Sequence, residues 1–537
     1  MAAPRTGSDE AKRILWVDDE IDLLRPHLMF LRERHYDVTP ISNGDDAIAL
    51  CQRQHFDLML LDEMMPGRDG LATLAAIADI QPNLPVIMIT KNEEERLMDE
   101  AIGRKIADYL TKPVNPSQIL SACKRVLDAK KLREGWVVRD YIAEFNTIRE
   151  RLCGPLTWRD WVDIHRTLSE WDVELDRFQD AGLKQTQRDQ HRECNAVFGD
   201  FVEQHYAAWV GGQDAPPLSV DVIQQFVAPH LRSDWRVCFI VIDCMRLDQW
   251  LTIEPLVAEY FTIDRQYYYS ILPSATPYSR NAIFSGLFPA DIATIYPTLW
   301  DRGMKDEQSR NRYERQLLDL QLERLRIQLQ PEPKYVKVLD VEEARSVARK
   351  ITTYYDAPFV SMVFNFVDIL AHGRSESEIL QEIAPDESGF RTLTKSWFSH
   401  SALFDILRTL SRQECTVILT SDHGAVLGMR GTKAYGDRET STNLRYKYGD
   451  HLGCDRRHAM LIDDPKRYRL PVYSQSTNYI IAKEDYYFVY PTKFHEYERQ
   501  YQDSFQHGGL SIEEMILPIC TMRPKQSRGQ GSGVRSQ

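Results

Sequence analysis

The chain carries 66 Lys+Arg and 79 Asp+Glu over 537 residues, a formal net charge of −13. At about 150 residues per folding unit this length predicts roughly three to four units, and 43% hydrophobic and 27% charged residues with 26 Gly and 26 Pro exclude collagen, wholesale disorder and a coiled-coil rod. The acidity argues against a general polyanion binder. It leaves nucleotide substrates open, because bound cations reverse the sign of a site.

In chain order, the first 122 residues hold most of that charge: 13 basic against 21 acidic residues, net −8, leaving −5 for the other 415. Apolar runs at Ile14–Val17, Leu58–Leu61, Val86–Ile89 and Tyr109–Leu110 alternate here with helix-patterned stretches, which predicts a parallel sheet covered on both faces. From about Asn115 to Val210 apolar residues recur at three- and four-residue spacing with few turn signals, the pattern of a helical bundle joining two globular parts. A Gly/Pro break over 211–217 closes it. Beyond the break, Val237–Asp243, Phe359–Asp368 and Thr416–Asp422 read as buried strands, each ending in a carboxylate, and ligands of open α/β sheets bind beyond the carboxyl ends of the strands. Between them Arg310–Gln330 predicts a charged amphipathic helix that packs against its own domain rather than presenting a partner surface. The stretch after Met522 is low-complexity and expected to be disordered. The expected boundaries are 1–125, 126–215, 216–522 and a tail over 523–537.

No apolar run approaches the eighteen or so residues of a membrane span, and the start MAAPRTGSDEAKR lacks the apolar stretch of a secretion signal. Nine scattered cysteines without a C-x-x-C pair predict reduced thiols and a cytoplasmic protein.

Five features follow in order in the acidic module: Asp18-Asp19 after the first apolar run, Asp62 ending LLD, Thr90 ending the next run, Tyr109, and Lys112-Pro113. Clustered acids hold a hard cation such as Mg²⁺, a carboxylate serves as a phosphoryl-accepting nucleophile, a lysine neutralises phosphate oxygens, and a hydroxyl senses the new group. Singly each is weak, since an Asp at a strand end is usually a cap. The ordered set is specific, and it resembles the receiver domain of response regulators. The resemblance implies a doubly wound CheY-like fold with Asp62 as phosphoacceptor. Asp18 and Asp19 match its Mg²⁺ acids, with the Met64 carbonyl as a further ligand. Thr90 and Tyr109 match its switch pair, and Lys112 its phosphate-contacting lysine, followed by a cis bond to Pro113. It also implies a sensor histidine kinase as phosphodonor and dimerisation on phosphorylation.

The effector half shows no helix-turn-helix signal and no basic recognition helix, so direct duplex DNA binding is not expected. Its polar signal is a ligand set: Asp243, Thr276 in PSATP, Asp368 and His372 in DILAH, Asp422 and His423 in SDHG, and His507 in HGG. Asp and His suit zinc, and a hydroxyl beside such metals ionises near neutral pH and attacks phosphorus. Alternation along a strand points Asp422 and His423 to opposite sides, towards two neighbouring metals. A single His is more often structural than a ligand, but all five segments in this order are improbable by chance. The set resembles the PglZ branch of the alkaline phosphatase superfamily. The resemblance implies Thr276 as nucleophile, one zinc held by Asp243, Asp422 and His423 with Thr276 bridging, and a second zinc held by Asp368, His372 and His507. It therefore assigns Asp422 and His423 to one metal, against the alternation argument, and that assignment is adopted. Arg280 and Asn281, close after the nucleophile, are expected to contact a phosphate oxygen.

Receiver, helical connector and α/β PglZ domain in series resemble the PorX-like response regulators. That implies a phosphodiesterase acting on short cyclic and linear oligonucleotides, controlled by Asp62 phosphorylation and linked to type IX secretion, with a sensor kinase and a sigma factor as partners. The competing reading is a non-catalytic adaptor that binds a sigma factor or secretion component through the PglZ fold; a phosphomonoesterase or phosphomutase on the same metals is a third. His451, Cys454 and His458 read as a loop with incidental ligands in preference to a third zinc site. Nearby Arg445, Lys447, Arg456 and Arg457 form either a phosphate-guiding patch or a solvated face.

Overall fold

A computed structural model of the chain describes residues 11–82, 84–91, 106–178, 180–233, 236–300, 311–354, 356–436, 443–492 and 494–525. It divides into two compact units, Met1–Glu144 and Phe145–Gln537.

The first unit is a five-stranded parallel sheet of β1 (Lys12–Val17), β2 (Tyr36–Ile41), β3 (Leu58–Asp62), β4 (Val86–Thr90) and β5 (Ile106–Thr111), in the order β2-β1-β3-β4-β5. Period-two alternation splits its side chains into two cores. Ile14, Trp16, Leu58, Leu60, Ile87 and Ile89 pack with Leu28, Leu31 and Ile119 on one face. Leu15, Val17, Met59, Leu61, Val86 and Met88 pack with Ala47, Leu74 and Ile77 on the other. Strand β2 carries no apolar run and escapes the sequence pattern. It is an edge strand with only Val38 buried and Pro40 near its end, a place where a missing N–H donor is tolerated.

The second unit is built around a six-stranded sheet of β6 (Arg236–Ile242), β7 (Phe261–Tyr269), β8 (Lys334–Val338), β9 (Phe359–Phe364), β10 (Cys415–Thr420) and β11 (Ile516–Pro524), with smaller sheets of two and three strands drawn from the residues between β10 and β11. Their order is β7-β11-β10-β6-β9-β8, with β11 antiparallel to both neighbours and β10, β6, β9 and β8 parallel. The strands expected to end in Asp are shorter than drawn. Asp422 lies two residues beyond β10, and Asp368 sits in the first turn of the helix Phe366–Glu376. The carboxyl ends of the adjacent strands β10, β6 and β9 still bring Asp422, Asp243 and Asp368 to one edge of the sheet.

The connector, expected as a separate bundle, does not stand apart. Trp161, Ile164, Leu168, Phe198, Val202 and Tyr206, from the helices Trp158–Leu175 and Ala181–Trp209, share one core with Phe239, Val241, Tyr268 and Tyr269 of the sheet. Their apolar stripes close on one another, Trp161 meeting Phe198 edge to face at 5.1 Å, and on sheet residues as well; truncating one such aromatic to Ala costs about 3–5 kcal/mol. The charged helix in the 310–330 region runs over Glu314–Arg324 and buries Leu317, Leu318 and Leu322 in that core, so its leucines are not a partner surface. Strand β11 pairs with β7 along its whole length to Pro524, inside the stretch expected as a tail; residues 526–537 lie outside the described residues. Among the described residues no helix is long and apolar enough to cross a membrane, and all nine cysteines are free thiols.

Candidate functional site

In the first unit, oxygens of Asp18, Asp19 and Asp62 lie within 4.8 Å of one another at the carboxyl ends of β1 and β3. Asp18 and Asp62 are buried and Asp19 is exposed. Lys112 Nζ, after β5, stands 2.9 Å from Asp62 and 3.1 Å from Asp18. Burial raises the Asp62 carboxyl above its ordinary range, with Asp18 and Asp19 adding to the rise and Lys112 opposing it. Three oxygen donors at this spacing fit Mg²⁺, which prefers few carboxylates and retained water. Thr90 is buried at the end of β4, Tyr109 is half-buried in β5, and Met64 is exposed just after β3. The Lys112–Pro113 bond is cis.

In the second unit, the ligand set gathers into two groups, Asp243/Asp422/His423 and Asp368/His372/His507, with the donor atoms of each within 4.8 Å of one another. Asp422 and His423 belong to one group, His423 Nε2 lying 3.7 Å from Asp422 Oδ2. The alternation argument fails because both residues follow the end of β10, where the chain no longer has a period of two. Thr276 opens the helix Thr276–Ser285, whose N-terminal partial positive charge favours an anion there. Its Oγ1 lies 2.8 Å from His423 Nε2 and 3.4 Å from Asp243 Oδ1. His423 Nδ1 donates to the Gly424 carbonyl at 3.0 Å, which leaves the Nε2 lone pair aimed at the site, where the Thr276 hydroxyl meets it. His423 stacks on His507 at 4.3 Å, so the two groups adjoin. His507 Nε2 and His372 Nε2 stand 3.5 and 3.4 Å from Asp368 Oδ1, and His372 is the most exposed of the six.

Burial, with Asp422 and Asp368 nearby, pushes Asp243 up to about 7 against the pull of Arg280. Burial and the neighbouring His423 hold His507 well below the usual imidazole value, hence neutral, as a metal ligand must be. Burial acts to raise Asp368, but the hydrogen bond from His372 and the nearby His507 win and keep it ionised. Buried Asp422 Oδ2 and His507 Nδ1 have no hydrogen-bond partner among the described residues.

Local backbone makes these positions reachable. Gly424 packs so tightly that a Cβ there would lie 1.9 Å from the Glu513 carbonyl oxygen, and Gly508 adopts φ +109° directly after His507.

Arg280 and Asn281 do not play the expected part. Arg280 is fully buried: its Nη1 donates to Asp243 Oδ2 and its Nε to Glu314 Oε1, both at 2.5 Å. Asn281 Nδ2 donates to the Pro277 carbonyl within its own helix at 3.0 Å. Asp243 therefore turns one oxygen to Arg280 and the other to Thr276. Sequence reasoning missed Glu314, a buried carboxylate that also accepts from Asn311 Nδ2 (2.8 Å) and the Tyr335 hydroxyl, with Lys337 Nζ 3.5 Å away. A Glu in a charged helical segment gives no signal of burial. The remaining candidates separate: among the described residues His451, Cys454 and His458 form no metal-sized group. His458 stacks on Tyr486 at 4.1 Å with its Nδ1 3.1 Å from Thr432 Oγ1. The basic residues beside them are no surface patch. Arg445 and Lys447 are buried, Arg445 against Glu514, while Arg456 and Arg457 pair with Asp463 and Asp455.

Residues 222–522 match the model of the BREX system PglZ alkaline phosphatase-like domain, residues 14–124 that of the response regulator receiver domain, and residues 131–210 that of the PorX response regulator linker domain. This is a PorX-like order of domains. Curated relatives include the transcriptional regulatory protein ResD of Bacillus subtilis, 36% identical over 115 residues (21% of this chain, 48% of ResD). The alginate biosynthesis regulator AlgB of Pseudomonas aeruginosa is 35% identical over 127 residues (24% of this chain, 28% of AlgB). The chain spans half or less of these relatives' own length. Among solved structures, a CheY-like receiver from Methanospirillum hungatei is 27% identical with a TM-score of 0.22, covering 23% of this chain and 98% of that one. The response regulator TrrA of Thermotoga maritima, solved with Mg²⁺ and BeF, is 28% identical with a TM-score of 0.20, covering 22% and 99%.

Proposed function

The chain belongs to the PglZ alkaline phosphatase-like family, with a response-regulator receiver ahead of that domain, and on this premise we propose that it is a two-component response regulator whose effector is a zinc-dependent phosphodiesterase cleaving cyclic and linear oligonucleotides. The observation that carries the reading is Thr276 Oγ1 set against Asp243 and His423 of one three-residue ligand group, which adjoins a second group through the stacked rings of His423 and His507.

Three carboxylates and three imidazoles are a zinc donor set, and Asp422 Oδ2, which accepts no hydrogen bond among the described residues, and the neutral His507 fit it. Bound zinc would supply positive charge that eases ionisation of the Thr276 hydroxyl and offsets the charge of the phosphate. Asp243, Asp422 and His423 would hold one ion and Asp368, His372 and His507 the other. Thr276 Oγ1, at the start of its helix, would lose its proton to solvent and attack phosphorus. The P–O bond to the leaving nucleoside breaks and that oxygen takes up a proton. Water then cleaves the threonine–phosphate bond and restores the hydroxyl. Arg280 and Glu314 hold Asp243 in place from beneath.

In the receiver, Asp18, Asp19, Asp62 and the Met64 carbonyl would hold Mg²⁺ while Asp62 accepts a phosphoryl group from a sensor histidine kinase. The phosphate adds about −1.5 to −2 charges, which Lys112 meets and to which Thr90 and Tyr109 respond. The phosphorylated form dimerises, and beryllofluoride raises the sedimenting mass to that of a dimer; an unchanged mass rejects that step.

The test of the site is zinc analysis of the purified chain together with turnover of bis-p-nitrophenyl phosphate, cyclic dinucleotides and short oligonucleotides. Two zinc ions per chain are expected, and Thr276→Ala lowers turnover by at least about 10³-fold while zinc stays bound. Absence of zinc with undiminished turnover in Thr276→Ala overturns the reading, and faster turnover of p-nitrophenyl phosphate makes the enzyme a monoesterase. A sigma factor is the expected partner and type IX secretion the expected output. Secretion lost with Asp62→Ala but kept with Thr276→Ala would make the effector an adaptor instead.

A further inference from the structure

Residues 512–514 lie between the loops that carry the metal-ligand candidates, and the connector holds them. Asn195, 5% exposed on the helix Ala181–Trp209, donates from Nδ2 to both carboxylate oxygens of Glu513 at 3.0 and 3.2 Å. Its Oδ1 accepts from Ile512 N at 2.8 Å. One turn earlier, His191 Nδ1 stands 2.9 Å from Glu513 Oε1 while its Nε2 faces Asp172 of the preceding helix at 3.0 Å. On the other side of the same short segment, the Glu514 carbonyl accepts from Gly424 N at 3.1 Å, beside His423. The Glu514 carboxylate accepts from Gly509 N at 2.8 Å, two residues past His507. No slack separates these groups, because Gly424 has no room even for a methyl group against Glu513.

We propose that Asn195, with His191, is a positioning residue for the effector site: from the connector it clamps residues 512–514 and thereby sets the loops of His423 and His507. Both side chains fall within residues 131–210, outside the span matched by the PglZ domain. The phosphatase-like site is then framed in part by the connector, the segment that follows the receiver in the chain. This deepens the proposed hydrolase reading and rests on it for its catalytic consequence. A polar clamp of three directional hydrogen bonds fixes one arrangement, whereas an apolar contact of the same size tolerates sliding.

The test compares Asn195→Leu with Gln190→Leu in the full-length chain. Gln190 is equally buried on the same helix, but its Nε2 donates to the Phe145 carbonyl at 3.0 Å, away from the segment. Asn195→Leu is expected to speed hydrogen exchange at Gly424 and Gly509 at least tenfold, to weaken zinc binding about tenfold, and to lower kcat for bis-p-nitrophenyl phosphate with KM little changed. Gln190→Leu leaves all three as in the wild type. Asn195→Asp, which sets two carboxylates face to face, reproduces the loss. Combining it with Glu513→Gln, which restores donor and acceptor in exchanged places, recovers exchange rates and kcat to within about threefold. Unchanged exchange at Gly424 and Gly509 in Asn195→Leu, or equal losses in Gln190→Leu, overturns the proposal. An inactive wild-type chain overturns the hydrolase reading instead, and the exchange comparison still decides this one.

Discussion

Replacing Glu314 with glutamine removes one charge from a carboxylate that is 1% exposed and shared by Arg280, Asn311, Tyr335 and Lys337. Arg280 lies between Glu314 and the first ligand group, 2.5 Å from Asp243 and 3.7 Å from Asp422. With Glu314 ionised the guanidinium is neutralised from behind; with glutamine its whole charge falls on the carboxylates that should hold a cation. Two unit charges about 5 Å apart at an effective dielectric near 20 interact by about 3 kcal/mol. Groups behind a metal's ligands typically change affinity 10- to 100-fold. Glu314→Gln is therefore expected to weaken zinc at Asp243/Asp422/His423 by about that factor and to leave Asp368/His372/His507 unaffected. Folding stability falls by about 3 kcal/mol, the low end for breaking a buried ion pair, because the amide oxygen still accepts. Adding Arg280→Met removes both charges and restores most of the affinity. The assay is competition of the full-length chain with a chromophoric chelator, resolving the two sites. Unchanged affinity in Glu314→Gln, or a double variant as weak as the sum of the singles, would falsify the argument.

Three further outcomes follow from the same geometry. His165 is buried with neither ring nitrogen hydrogen-bonded among the described residues, and burial pulls it down to about 4. The unfolded chain, titrating near 6.5, takes up a proton that the folded one refuses, so stability is full above about pH 6.5 and falls by about 3 kcal/mol by pH 4. Urea melts of His165→Leu should lose that part of the slope, and an unaltered slope refutes it. Gly424→Ala sets a methyl 1.9 Å from the Glu513 oxygen and is expected to abolish zinc binding at the first group before it unfolds the unit; retention of both zinc ions counts against the packing argument. Lys112→Met removes the cation between Asp18 and Asp62. It should slow Asp62 phosphorylation by a small-molecule donor about tenfold or more, and a wild-type rate on a phosphate-affinity gel would remove Lys112 from that role.

What could be read from the sequence was whatever composition and order encode locally. Both cores of the first sheet follow from the apolar runs Ile14–Val17, Leu58–Leu61 and Val86–Ile89 of β1, β3 and β4, which are buried on both faces. Strand β2 was illegible because an edge strand needs only one buried residue. The ligand candidates were legible because their segments follow one another in a distinctive order, although each residue alone is a weak signal. Arg280 was legible as a polar residue near Thr276, but its partner was not. Glu314 is 34 residues further on, in a segment whose charges otherwise face water. The connector's docking was illegible for a related reason: an apolar stripe on a helix declares that it is buried, not against what.

The same limit applies to the carboxylates, and burial resolves it. Asp243, Asp248 and Asp422 are all buried residues near strand ends, indistinguishable by type. Burial acts to raise Asp248, yet Arg246 and Arg391 bind it at 2.7 and 2.8 Å and hold it well below the carboxylate range. Its charge is fully matched within the protein, so nothing remains for a cation. Asp422 leaves one buried oxygen without a hydrogen bond, and Asp243 gives one oxygen to Arg280 and keeps the other beside Thr276. An unmatched buried carboxylate costs several kcal/mol unless a cation completes it. Asp248 thus has two arginines to itself, whereas Asp243 and Asp422 share Arg280 between them and each keeps an oxygen that no arginine hydrogen-bonds. One arginine for two buried carboxylates leaves this site locally negative in an effector half of nearly balanced charge, and a cation held there would reverse its sign.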